Sequence, residues 1–182
     1  MRILVLCSIL LLGTLLGAQS LYTIRSETIQ GRQLPLKGYE GRVLLIVNIT
    51  TDSPLTKQLS ELQILYSNYV EQGLSILAFP TSDFANQPQP NTQEIIKTCY
   101  ETYKVGFPIF MPSHVTGSQK NEVYQFLTDS ETNPMYGGEV TFDFVKFLVN
   151  REGKVIGRFA TTTSPNDPKL IQAIENALGA NQ

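Results

Sequence analysis

The stretch Val43–Thr56 reads V-L-L-I-V-N-I-T-T-D-S-P-L-T: an almost continuously apolar run, a short polar loop, and the start of a helical pattern. An apolar run of this length reads as a central strand covered on both faces. Beyond the loop, Leu55, Leu59, Leu62, Tyr66 and Tyr69 recur at helical spacing until Gly73 stops the helix and Leu74–Phe79 supplies a second apolar strand. That is a βαβ unit, whose strands run parallel. The loop presents one side chain and a helix start at the end of the first strand, a setting suited to activating a thiol. The side chain there is Ser53, followed by Pro54. Serine before proline predicts an N-cap and first-turn pair, with the hydroxyl accepting an orphan backbone N–H and contributing about 1 kcal/mol.

Outward from this unit, the chain continues to alternate strands and helices. Leu21–Ile24 and Ile29 flank a turn at Gln30-Gly31, and Leu34 with Leu36 leads to Gly38 and Gly41, which predicts a hairpin ahead of the first core strand. Asn91 with Glu94 has the spacing of a capping box and opens a helix through Ile95, Ile96, Cys99, Tyr100 and Tyr103. Phe107–Phe110 reads as a short extended segment, and Val123, Tyr124, Phe126 and Leu127 as a brief helix. Phe144–Val149, a tight turn at Asn150–Gly153 and Val155–Phe159 make an antiparallel hairpin. Asp167 caps and Pro168 opens a last helix, with Leu170, Ile171, Ile174 and Leu178 on one face. The fold class is α/β: a thioredoxin-like layout, with a central mixed sheet between helices and an N-terminal β-hairpin.

The first 20 of the 182 residues read as a cleaved secretory signal: Arg2, the apolar run Ile3–Leu16, and the small residues around Ala18-Gln19-Ser20. Cleavage is expected before Leu21, leaving residues 21–182 as one domain, exported to a periplasm or secreted. No second apolar run is long enough to span a bilayer. The chain after the leader keeps 13 basic against 16 acidic side chains, a net charge of about −3, which argues against nucleic-acid or anionic-membrane partners. It also keeps a single cysteine, Cys99, and so forms no internal disulfide. No repeat or low-complexity tract appears, and the prolines at Pro88–Pro90 are too few for a domain linker.

Four blocks then carry a specific resemblance: G-R-V-L-L-I-V-N-I-T-T-D-S-P-L-T, F-P-T-S-D-F-A-N-Q-P-Q-P, Y-K-V-G-F-P-I-F and F-D-F-V-K-F-L-V-N-R-E-G-K-V-I-G-R-F-A-T-T-T-S-P. In order and spacing they resemble signature blocks of the glutathione peroxidase family. The short Leu127–Phe142 stretch resembles the family's monomeric branch. The resemblance implies peroxide reduction by a cysteine or selenocysteine, assisted by a glutamine, a tryptophan and an asparagine, with glutathione or thioredoxin as reductant. Carried over by block, these positions are Ser53, Asp83, Phe142 and Asp143, and all four are substituted; the chain contains no tryptophan at all.

A serine hydroxyl stays protonated at neutral pH and has no sulfenic state, so Ser53 does not replace the missing thiol. No Gly-x-Ser-x-Gly elbow surrounds it, and the only histidine, His114, falls in another block, where it reads as an exposed loop residue. Cys99 resembles the resolving cysteine of thioredoxin-dependent members; with no thiol at Ser53 to resolve, its helical neighbours point to a core cysteine, the alternative being a displaced peroxidatic thiol. If the resemblance fixes the geometry, Asp83 and Asp143 converge near Ser53 with Asp52 adjacent, which would suit a shared proton or a hard cation. No cofactor is expected. Asn48-Ile49-Thr50 matches a glycosylation acceptor but ends the central strand, so it is expected to stay unmodified. These readings give a secreted monomer of peroxidase ancestry with peroxide reduction lost or strongly reduced, acting by binding an unidentified protein or small molecule. The alternative is a residual thiol peroxidase working through Cys99.

Overall fold

The computed structural model describes residues 20–84 and 91–179. The expected leader, apart from Ser20, lies outside the described residues, as do Pro88–Pro90. Strands β1 (Arg25–Glu27) and β2 (Gln33–Pro35) form the expected antiparallel hairpin, preceded by a 3-10 turn at Leu21–Thr23 where an extended segment was anticipated. Ser20 caps that turn, its hydroxyl accepting from Tyr22 N.

The main sheet holds β3 (Val43–Ile49), β4 (Leu74–Pro80), β5 (Lys146–Val149) and β6 (Val155–Phe159), in the order β4-β3-β5-β6. β3 pairs with β4 in parallel, as the βαβ pattern requires, and with β5 antiparallel. β3 is buried at every position and alternates between two cores. Val43, Leu45, Val47 and Ile49 face the helices α1 (Gln58–Tyr69) and α4 (Pro168–Gly179) through Leu59, Leu62, Leu170 and Ile174. Leu44 and Ile46 face Val123, Phe126 and Leu127 of α3 (Glu122–Thr128) with Phe147 of β5. Each fully buried leucine or phenylalanine contributes roughly 1.5–3 kcal/mol, so the two cores account for most of the favourable free energy of folding.

The helix after Asn91 starts as expected, with the Asn91–Glu94 capping box closed in both directions. The α-helical part, α2 (Thr92–Ile96), is short, and Lys97–Thr102 widens into a π-helical turn that turns Cys99 fully inward. The segment 107–110 makes only single bridges, Ala78 to Ile109 and Thr28 to Phe110. Between α3 and β5 the chain folds without strands. Asp129 accepts from Glu131 N and Thr132 N, Asn133 Nδ2 donates to Phe126 O at 2.7 Å, and Gly137 N donates to Asn133 O. A Cβ at Gly137 would lie 2.9 Å from the carbonyls of Asn133 and Asp129, so glycine is required there. Arg158 of β6 closes the segment, donating to the carbonyls of Tyr136, Gly137, Gly138 and Glu139 while its guanidinium lies 5.0 Å over the Phe147 ring.

Candidate functional site

β3 and β4 end level with each other, Ile49 opposite Pro80, and Thr81 N donates to Ile49 O at 2.9 Å. The carboxyl end of parallel strands is where open α/β sheets place their ligands, and Ser53 and Asp83 both follow it. Ser53 is half-buried in a run of turns rather than at the head of a helix. Its Oγ accepts from Leu55 N at 3.1 Å, its carbonyl accepts from Thr56 N at 3.0 Å, and its own N–H donates to Thr56 Oγ1. The expected direct cap on the helix is therefore corrected: α1 begins only at Gln58, behind Lys57, which makes no side-chain cap. The reason is a succession of tighter turns, Thr56 N to Ser53 O, Gln58 N to Leu55 O and Leu59 N to Thr56 O, which close three-residue bonds where an α-helix closes four-residue ones and delay the α-helix to Gln58. The hydroxyl caps a turn, and no base lies within hydrogen-bond reach of it among the described residues.

Asp83 does not join a carboxylate cluster. One oxygen lies 2.6 Å from His114 Nδ1 and the other accepts from Val115 N at 2.7 Å and Thr116 N at 3.2 Å. Its side chain is 7 % exposed while that of His114 is 48 % exposed. Burial works against the charged carboxylate, and the hydrogen bonds from Val115, His114, Thr81 and Thr116 outweigh it, holding the group below its usual range. His114 is exposed, as anticipated, but its pairing with Asp83 is a contact that sequence separation concealed. The anticipated convergence of Asp52, Asp83 and Asp143 is corrected: no three His, Cys, Asp or Glu side chains gather into a possible ligand set among the described residues. Asp83 is turned toward the 114–116 loop by two backbone N–H groups that compete for its oxygens.

Phe142 and Asp143 sit on a kink leading into β5. Phe142 is 62 % exposed, Asp143 is half-buried, and Phe144 between kink and strand has a left-handed φ of 55°. Asn48 fixes the kink: its Nδ2 donates to Phe142 O at 2.9 Å, its Oδ1 accepts from Val145 N at 3.1 Å, and its backbone carbonyl accepts from Phe144 N at 2.8 Å. This is why β5 starts at Lys146, two residues later than the apolar pattern indicated. Thr161 Oγ1 donates to Asp143 O. A cavity of about 540 Å³ opens beside the kink, walled by Thr141, Phe142, Val145, Arg158, Phe159 and Thr161.

Cys99 faces the core from the π-helical turn, fully buried, and burial pushes its thiol up to about 12. A thiol so placed is protonated at neutral pH and inert toward peroxide. Two further polar residues were not legible as part of the site. Lys146 is fully buried and donates from Nζ to Phe144 O at 2.8 Å. Gln58 is 5 % exposed and donates from Nε2 to Thr161 O, while its Oε1 has no protein partner. Lys146 stands between Val145 and Phe147 and Gln58 between Lys57 and Leu59, and only their three-dimensional neighbours reveal what they hold.

A family model described as glutathione peroxidase matches residues 21–128. The chain is 38 % identical over 146 residues to the glutathione peroxidase homolog BsaA of Halalkalibacterium halodurans, covering 80 % of this chain and 92 % of that protein. Among solved structures it is similar to Trgpx in its apo form, with a TM-score of 0.70 and 27 % identity over 89 % of this chain and 97 % of that one. A thioredoxin-family thiol:disulfide interchange protein from Chlorobium tepidum shares the fold, with a TM-score of 0.65 at 15 % identity, covering 90 % of this chain and 98 % of that one. The fold is thioredoxin-like, a mixed sheet flanked by helices. Among the described residues no helix is long and apolar enough to cross a membrane.

Proposed function

The chain belongs to the glutathione peroxidase family, and from that premise we propose that it is a secreted, monomeric member in which peroxide reduction is lost or strongly reduced and which acts by binding. The observation that carries this reading is the state of its two candidate nucleophiles. Where the resemblance puts the peroxide-reducing group stands Ser53, whose oxygen has no sulfenic state and already accepts from Leu55 N. The one thiol outside the leader, Cys99, is buried and held protonated. Asp83, at the family's glutamine position, is committed to His114 and the 115–116 backbone, and Phe142 has no indole N–H to offer. The cavity beside Phe142 is the surface such a protein offers to a ligand. Export is supported by the charged end, apolar run and small-residue end of the first 20 residues.

The test is turnover. With glutathione or thioredoxin, each with its recycling reductase, and with hydrogen peroxide or an organic hydroperoxide, reductant consumption should equal the protein-free background. Consumption above background that disappears in Cys99→Ala would establish the alternative, a thiol peroxidase using Cys99. Consumption that survives Cys99→Ala would overturn both readings.

A further inference from the structure

Two fully buried polar side chains hold the kink that carries Phe142 and Asp143. Asn48 ties Phe142 O, Phe144 N and Val145 N, and Lys146 ties Phe144 O. Phe144 needs both, because a left-handed φ of 55° is unfavourable for a bulky side chain and persists only where its surroundings over-determine it. The two ties differ in one respect: the amide of Asn48 has no protonation change near neutral pH, whereas Lys146 carries an amine. That amine uses one of its three donors, on Phe144 O, among the described residues. The charged groups acting on it are Glu61 from α1, itself accepting from Ser164 Oγ, and Asp143 from the kink. Its partners across the ladder, Val47 on β3 and Phe159 on β6, are uncharged.

We propose that Lys146 is a buried proton switch for the Phe142–Asp143 kink, its charged amine holding the Phe144 carbonyl in the left-handed turn and loss of the proton releasing Phe142, one wall of the cavity. Charge strengthens a hydrogen bond to a carbonyl about twofold over the neutral donor. The same proton attracts Asp143, next to Phe142, so both holds of the amine on the kink weaken together when it leaves, with the bonds of Asn48 unchanged. Burial lowers the amine to about 8, against the opposing pull of Glu61 and Asp143, which puts both states within reach of ordinary conditions. The cavity beside Phe142 is then open to two settings, and a ligand that touches the phenyl ring binds one of them in preference.

The chain contains no tryptophan, so Phe142→Trp installs a single reporter on the kink, at a side chain 62 % exposed. Emission of that variant should shift with pH through one midpoint near 8, well below the ionisation of tyrosine at about 10. The shift should be absent from the double variant Phe142→Trp/Lys146→Met and present in Phe142→Trp/His114→Asn, which removes the imidazole. A midpoint retained without Lys146, or no midpoint between about 7 and 9, overturns the proposal. Should the Lys146→Met variant not fold, the Lys146 amine of the single variant is titrated directly by NMR. Coincidence with the emission midpoint supports the switch, and separate midpoints overturn it.

Discussion

Asn48 and Phe142, 94 positions apart in the chain, are joined by a 2.9 Å hydrogen bond from the Asn48 amide nitrogen to the Phe142 carbonyl. The other end of the same amide accepts from Val145 N, so a side chain with 0 % exposure has both its ends occupied. Replacement by alanine leaves the buried Val145 N–H unpaired, at a cost of about 1–3 kcal/mol, and frees the part-buried Phe142 carbonyl. A denaturant midpoint for Asn48→Ala equal to wild type would contradict that assignment. The same nitrogen is the one that would carry a glycan in Asn48-Ile49-Thr50. In protein passed through a eukaryotic secretory pathway, mass spectrometry of the Asn48 peptide should find unmodified asparagine.

Restoring a thiol at Ser53 should not restore the family's chemistry. Ser53→Cys should give a thiol that reacts with a disulfide reagent in the folded protein, since the position is half-buried in a turn. Peroxide turnover should nevertheless stay far below that of a competent peroxidase, because Asp83 remains bound to His114 and Phe142 supplies no N–H donor. The coupled assay on Ser53→Cys, with and without Phe142→Trp, measures this. Ser53→Ala isolates the cap and should cost about 0.5–1 kcal/mol in stability.

Cys99 should be unreactive until the protein unfolds. Its thiol is buried and raised to about 12, against an ordinary value of 9.0, so the native protein should show no thiol toward the same reagent at neutral pH and one after denaturation. The sign of the linkage follows. The unfolded chain loses this proton near 9.0 while the folded chain keeps it, so the unfolded state binds fewer protons and stability falls as pH rises from about 9 to about 12. Cys99→Ala should show a shallower loss over that window in a urea series, at the cost of a small cavity.

Asp83 acts at the other end of the scale. Its folded carboxyl lies below the ordinary value of 3.8, so its contribution is complete above that value and is lost as pH falls through the lower folded one. Asp83→Asn removes the charged acceptor of three donors and should cost about 1.5–3 kcal/mol at pH 7. The penalty should shrink in acid, where wild type loses the same contribution. A penalty unchanged from neutral pH to below pH 3.8 would refute the role of the charge.

The backbone of the fold was largely legible because its signals are local. The run Val43–Ile49, the spacing Leu59–Leu62–Tyr66, the Asn91–Glu94 capping box and Asp167-Pro168 each state an element within a few residues. The site was less legible because its contacts are not local. His114 meets Asp83 across 31 positions and Thr161 meets Asp143 across 18, and nothing in either neighbourhood announces the partner. Lys146 sits in the pattern F-V-K-F-L, where a strand's alternation would send a lysine to solvent. Its burial is decided by the kink at Phe144, whose left-handed turn no apolar pattern encodes. Ser53 shows the same limit at shorter range. Ser-Pro signalled a cap correctly, but whether an α-helix or a chain of tighter turns followed depended on where Thr56 found its partner, Thr50 O.

Arg158 and Gly137 together decide where this chain tolerates added length. The segment between α3 and β5 meets its acceptors through one guanidinium on residues 136–139 and through Asn133 and Asp129 on the preceding turn, and glycine is the only residue that fits between them. The apex at Pro134-Met135 is spanned by the bonds of Tyr136 N and Gly137 N to Asn133 O and lies outside the Arg158 fastening, and Met135 is 82 % exposed. Residues inserted at that apex widen the Asn133 turn into solvent and leave the Arg158 fastening, the sheet, the kink and the cavity beside Phe142 in place. The same insertion one turn later, among the four carbonyls, unfastens the segment that delivers Phe142. A graft, tag or partner-binding loop placed at Met135 is therefore the extension this architecture accommodates.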